Sequence, residues 1–303
     1  MAGSTRAFRP AKAEAPNAPS RGANRGLWAR TIYVFRRNRT ALFGAIIILV
    51  FVFVAIFADW LAPYDPNTVT LSQRFLPPSA EHLFGTDNLG RDILSRVIYG
   101  ARISLWVGIL TVSLAMVIGV PMGLLAGYKR GWTDTIFMRL VDVFLAFPVI
   151  ILAIAIVAVR GPGLVNVMLA LVAVYWTTYA RVTRGVTLVL RNEDYMLAAE
   201  CIGVPTTRAM WRHLLPNSVA PILVIATLGL GNAILAEAAL SFLGLGIQPP
   251  EASWGSMLNF GMQFLRDAPW LTFFPGMAIF LTVLGFNLVG DGIRDAMDPR
   301  LRQ

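Results

Sequence analysis

Apolar stretches about 20 residues long recur along most of this chain, and that recurrence limits its fold more than any single motif does. A helix of that length crosses the roughly 30 Å hydrocarbon core of a bilayer with its backbone N–H and C=O groups paired internally, as lipid requires. A soluble fold of 303 residues can bury a large core, but not six separate segments of this length. Hydrophobic residues make up 56% of the chain, well above the usual share in soluble domains. Mean hydropathy is +0.63. The reading is an all-α polytopic membrane protein.

The pattern predicts six spans, at roughly 41–62, 103–127, 138–159, 164–183, 218–246 and 271–290. Pro148 should kink the third and free a backbone carbonyl. Gly161-Pro162-Gly163 should form the tight turn into the fourth. What remains is a tail over 1–40, loops over 63–102 and 247–270, a polar stretch over 191–217 and an end segment over 291–303. The tail reads as disordered to about residue 26, being rich in Ala, Pro, Gly and Arg with Glu14 its one acid. A secretory signal fits poorly, because the first apolar run begins near Ala41 and is too long for one. Pro10, Pro16 and Pro19 likewise argue against an amphipathic presequence.

A net charge of +9 can suggest nucleic acid, but here it reads as the Lys/Arg bias of cytoplasmic segments. Most of the 26 basic residues fall in four places. These are the tail, the loop after the second span (Lys129, Arg130, Arg139), the polar stretch with its approach (Arg181, Arg184, Arg191, Arg208, Arg212) and the end (Arg294, Arg300, Arg302). The opposite side holds Arg74, Arg91, Arg96, Arg102, Arg160 and Arg266. Both termini are therefore expected in the cytoplasm. Trp60, Tyr64, Tyr99, Trp106, Tyr128, Trp132, Trp254 and Trp270 lie near span ends, where amphipathic rings favour the headgroup zone. Tyr175, Trp176 and Tyr179 fit that belt less well.

Cys201 is the single cysteine, so the chain can form no internal disulfide and no cysteine-based metal site. His82 and His213 are the only histidines and fall on opposite sides. No nucleophile–base or metal constellation sits on facing spans, which leaves an intramembrane enzyme unsupported and no catalytic residue or metal ligand to name.

The polar stretch is the informative one. Asn192 or Asp194 can cap a short helix with Tyr195, Ala198, Ala199 and Ile202 on one face. Gly203 suits a left-handed C-terminal cap, and Pro205 discourages continuation. Thr206 or Thr207 can start a second helix through Met210 and Leu214, ending at Leu215-Pro216. Small side chains at Ala198 and Ala199 would let another protein's surface approach the backbone. The plainer alternative is a loop helix lying against the membrane.

This stretch resembles the coupling motif of ATP-binding-cassette importer permeases: Glu-Ala-Ala, three residues, Gly, nine residues, Ile, one residue, Leu-Pro. Ala198 and Ala199 match the alanines, Gly203 the glycine, and Leu215-Pro216 the final pair. Leu197 stands where the pattern has Glu, and His213 where it has Ile. The first departure removes a possible contact to an ATPase but leaves the helix–turn–helix shape intact. Other segments are similar to dipeptide and oligopeptide permeases, closest to the second of their two permease subunits. They are His82-Leu83-Phe84-Gly85-Thr86-Asp87, Leu89-Gly90-Arg91-Asp92, Ser95-Arg96, Tyr99-Gly100-Ala101-Arg102, Ser241-Phe242-Leu243-Gly244-Leu245-Gly246, Gln248-Pro249-Pro250, Trp254-Gly255, and Asn287-Leu288 through Gly290-Asp291-Gly292 to Asp298-Pro299. The likeness covers about residues 30–303.

The resemblance implies a type I importer permease fold, six transmembrane helices with a cytoplasmic coupling helix, in a bacterial inner membrane, with 103–290 as the permease core. It implies a homologous sister permease, two ATPase subunits that use ATP and Mg²⁺, and a periplasmic or lipid-anchored substrate-binding protein. Membrane lipids surround it, and nucleic acid has no part. The chain contains no Gly-x4-Gly-Lys-Ser/Thr sequence, so it needs a partner to hydrolyse ATP and is no enzyme itself. It needs no cofactor of its own. The implied cargo is a di- or oligopeptide, with glutathione or chelated nickel as alternatives.

In the outer loop, Ile93, Leu94, Val97 and Ile98 oppose Arg91, Asp92, Ser95 and Arg96. Such a segment either contacts a binding protein or sister permease, or lies on the membrane surface. Glu237 falls toward the far end of the fifth span. It either lines a vestibule and attracts a peptide's ammonium group, or sits solvated or paired with a partner's basic residue. Asn232 and Trp176 are further pathway candidates, though helix packing explains either. An ion-coupled secondary transporter would want ionisable residues at midspan and repeat symmetry. These spans are nearly free of charge.

Overall fold

The computed structural model describes residues 38–297. The tail before Asn38, with most of its arginines, and the last residues, with Asp298-Pro299, Arg300 and Arg302, lie outside the described residues. Helix α1 spans Arg39–Ile56, and Asn38 caps it by accepting from the amides of Thr40 and Ala41. After a break at Phe57, α2 is the single turn Ala58–Leu61. Helix α3 runs Ile93–Lys129, and its 37 residues reach about 55 Å. Then come α4 (Gly131–Leu145), α5 (Val149–Arg160), α6 (Leu164–Leu190) and the short α7 (Asp194–Cys201). The turn α8 (Thr206–Arg208) and a π-helical turn (Ala209–Leu214) lead into α9 (Leu215–Phe242). Helices α10 (Trp254–Met262) and α11 (Trp270–Met297) complete the chain.

Five helical runs are long and apolar enough to cross a membrane, and six crossings result if the bent pair α4–α5 is one span. That pair corrects the expected kinked helix over 138–159: its halves meet at 86°. Proline disfavours helical geometry in the residue before it, so α4 stops at Leu145 and Pro148, with ψ 130°, becomes the N-cap of α5. The second span is also longer than 103–127. Nothing breaks the helix between Ile93 and Ile103, so the amphipathic outer segment forms the first turns of α3.

Glycine sets the helix spacing. The most extensive pairing is α3 with α6. Along α3, Gly119, Gly123 and Gly127 fall four residues apart on the face that meets it. A Cβ on Gly119 would lie 2.9 Å from the Ala180 nitrogen, one on Gly123 2.8 Å from the Thr183 Cβ, and one on Gly127 2.7 Å from the Thr187 Cβ. The backbones approach because no side chain intervenes, the usual device for helix association in lipid. A second close approach joins α1 to α11, where a Cβ on Gly285 would lie 3.2 Å from the Gly44 carbonyl.

Residues 63–92 and 247–270 gather at one end of the bundle. There the polar side of the amphipathic segment is turned inward along with its apolar side. Arg91, Asp92, Ser95 and Arg96 are all buried, as are Asp87 and His82. Asp87 accepts from the amides of Leu89 (2.8 Å) and Arg91 (2.9 Å) and from Arg91 Nε (2.7 Å). Arg96 Nε lies 4.0 Å from Asp87, and its Nη1 donates to the Pro66 carbonyl at 2.9 Å. Asp92 caps α3 through Ser95 (2.8 Å) and lies 3.0 Å from His82 Nδ1. The charges are buried because they satisfy one another and tie the loop down. Trp254, expected in the interfacial belt, is instead fully enclosed and donates to the Val97 carbonyl at 3.0 Å.

Gly123→Leu should force α3 and α6 apart or cost about 1–3 kcal/mol. The measurement is thermal unfolding in detergent, and an unshifted midpoint would contradict the close crossing. Asp87→Ala leaves two buried guanidinium groups short of their carboxylate and should cost about 3–5 kcal/mol. The same melt, beside Glu81→Ala as an exposed control, checks it.

Candidate coupling site

Glu193 occupies the N-cap of α7 and makes no side-chain capping bond. Asn192, named above as a possible cap, instead donates to the Leu188 carbonyl at 3.1 Å. Asp194 lies in the first turn, where its charge favours the helix dipole. The other end follows expectation closely. Gly203 has φ +72°, its amide bonds the Glu200 carbonyl at 3.0 Å, and Val204 N bonds the Ala199 carbonyl at 3.0 Å. This is the Schellman closure, which a residue with a Cβ enters only at a cost. Pro205 then turns the chain into α8.

The expected second helix does not end at Leu215-Pro216 but continues into α9. Proline there removes one amide and would press its ring on the carbonyl four residues back. The turn before it is widened, with Leu215 N reaching the Met210 carbonyl, and this wider turn accommodates Pro216 at the start of α9.

The faces of α7 also differ from expectation. Met196 and Ala199 are buried, and Met196 packs with Ala209, Met210 and Leu214 into the core that contains Leu124 of α3 and Ala180 of α6. Tyr195, Ala198 and Ile202 face outward, Ile202 at 81% exposure. Ala198 and Ala199, taken together above, therefore serve opposite faces. Burial, then the nearby Glu193 charge, holds the Tyr195 phenol above its ordinary pKa. Cys201 is also exposed. Leu215 is half-buried against the same core and Pro216 is exposed.

Ion pairs not anticipated from the sequence fasten the neighbouring helices. Arg184 of α6 grips Asp134 of α4, its Nη2 at 2.6 Å, and Arg181 Nη2 reaches Asp142 at 2.6 Å. Met196, the main buried contact of α7, was also missed. Its three-residue spacing from Ala199 was the available signal.

The three pathway candidates separate. Glu237 is fully enclosed within the chain, its Oε1 accepting from Ser241 at 2.6 Å. Its Oε2 and the Ser104 hydroxyl have no partner among the described residues. Trp176 is also buried, donating to the Ala173 carbonyl at 3.0 Å and meeting Phe144 edge-on. Both side chains therefore face the interior of this chain's helix bundle. Asn232 is exposed on α9. No cluster of three or more His, Cys, Asp or Glu suits a metal among the described residues.

Comparison with known proteins gives concordant results. The family described as "Binding-protein-dependent transport system inner membrane component" matches residues 119–303, and "N-terminal TM domain of oligopeptide transport permease C" matches 26–78. The dipeptide transport system permease protein DppC of Alkalihalophilus pseudofirmus is 47% identical, over 91% of this chain and 90% of that protein. The oligopeptide transport system permease protein OppC of Bacillus subtilis is 42% identical, over 98% and 97%. The glutathione transport system permease protein GsiD of Pectobacterium atrosepticum is 45% identical, over 92% and 91%. Among solved structures, a chain of the MetNI methionine ABC transporter, inward facing, aligns with a TM-score of 0.55 at 19% identity. The alignment covers 68% of this chain and 98% of that one, and it shows a shared fold.

Proposed function

This chain belongs to the family of binding-protein-dependent transport system inner membrane components, and we propose that with a sister permease it forms the path by which di- and oligopeptides cross the membrane. It is a multi-span, non-catalytic permease subunit of a bacterial importer. The observation that carries the peptide assignment is near-complete alignment with both a dipeptide and an oligopeptide permease at over 40% identity. Glutathione is the second reading, supported by relatives named for it.

Two ATPase subunits supply the energy, using ATP and Mg²⁺ that this chain does not bind, and a binding protein on the other side delivers cargo. Ala198, Ala199, Gly203, Leu215 and Pro216 act together in coupling. Ala199 lies on the buried face of α7 beside Met196, which seats it on the membrane helices, and Ala198 leaves its outward face low enough for an ATPase cleft. Gly203 fixes the elbow, and Leu215-Pro216 join it to α9. Closure of the ATPase pair displaces α7, and the bundle changes which side the path faces. Both termini lie in the cytoplasm. Asn232, exposed on α9, is the pathway candidate that this arrangement keeps.

A β-branched residue at φ +72° costs about 1–2 kcal/mol or more, so Gly203→Val should lower uptake about ten-fold while membrane insertion stays normal. Radiolabelled peptide uptake, with the variant quantified in membranes, measures this, and normal uptake would count against the coupling role. Cys201 should react with an impermeant maleimide only from the cytoplasmic side, and less once the ATPases are bound. Labelling from outside would overturn the orientation.

A further inference from the structure

We propose that Arg191 is the positioning residue that carries displacement of α7 into α3, by bracing the short helix against the corner between α3 and α4. The inference rests on the coupling role proposed above. Arg191 caps the C-terminus of α6, at the point where the chain turns toward α7. Its Nη1 donates at 2.6 Å to the Tyr128 carbonyl in the last turn of α3, and its guanidinium lies 5.3 Å from the Tyr128 ring centroid. Its Nη2 lies 3.7 Å from Glu200 Oε1 in the last turn of α7. One planar group at the end of α6 thus touches two other helices, α3 and α7.

The two grips differ in strength. The carbonyl of Tyr128 is one of those left unpaired where a helix ends, and a charged donor fills that vacancy. A guanidinium over an aromatic face adds to the hold. The contact with Glu200 is longer, and the Glu200 side chain is 59% exposed, so water screens that half. The arrangement is a fixed anchor on α3 with a yielding hold on α7.

The anchored corner is itself unusual. Arg130 and Gly131 hold φ of +56° and +59° in succession, and a left-handed conformation at a non-glycine residue stores strain. Arg130 Nη2 reaches back to Asn192 Oδ1 at 3.3 Å, so the corner and the start of the coupling segment are joined twice. From Tyr128, α3 is continuous to Ile93, where Asp92 ties it to the buried charges of the opposite end. Movement delivered at Tyr128 therefore reaches the far face of the bundle through one helix.

The test uses the full complex, with sister permease, ATPase subunits and binding protein, in proteoliposomes, and reads peptide uptake per ATP hydrolysed. Arg191→Gln should keep ATPase activity within about two-fold of wild type and lower uptake per ATP about ten-fold. Arg191→Lys should fall between, because a point charge cannot hold the carbonyl, ring and carboxylate together. Tyr128→Leu, which removes the ring and keeps the carbonyl, should show a smaller loss, and the double variant should be no worse than Arg191→Gln alone. Wild-type uptake per ATP in Arg191→Gln, equal losses of hydrolysis and uptake, or additive effects in the double variant would each overturn the brace. If Arg191→Gln fails to assemble, wild-type coupling in both Arg191→Lys and Tyr128→Leu overturns it. A wild-type complex with no ATP-dependent uptake would overturn the permease reading itself, and the brace with it.

Discussion

The close crossing of α3 and α6 is the constraint on which the rest of the structure stands. In lipid, apolar side chains gain nothing by leaving tails for one another, so helices associate through packing and small residues. Gly119, Gly123 and Gly127 bring the α6 backbone against α3 over the half of each helix nearest the elbow. The core holding Met196, Ala209, Met210 and Leu214 is built on this pair. Without a rigid pair beneath it, α7 would be a tethered loop.

Rigidity at the elbow comes from backbone chemistry more than from area. The eight residues of α7 are too few to hold a helix alone, since nucleation is costly and isolated helices of this length are marginal. The Schellman closure at Gly203 and the buried Met196 and Ala199 hold it in place. The π-turn before Pro216 then lets the coupling segment enter α9 without a break, so the elbow has one helical exit and two arginine ties. Its outward face keeps Tyr195, Ala198 and Ile202 exposed.

At the opposite end the same chain handles polar groups differently. Asp87, Arg91, Arg96, Asp92 and His82 are withdrawn from water and satisfied by each other and by loop carbonyls. Such a network contributes less to stability than to fixing one arrangement of a long loop. It also caps α3, so the helix gripped at the elbow is held at both ends.

The all-α class, the apolar spans and the elbow at Gly203 were legible from the chain alone. Hydropathy over about 20 residues and the left-handed demand after a helix are local properties that each segment carries by itself. Gly119, Gly123 and Gly127 recur every four residues in the chain, but only the fold shows that α6 packs against them. The right angle at Pro148, the burial of Glu237 and Trp176, the opposite faces of Ala198 and Ala199, and the buried charges beneath the outer loop were decided only in the folded chain. A sequence states that a residue is polar or small, but whether it meets water, lipid or another helix depends on which distant segment packs against it.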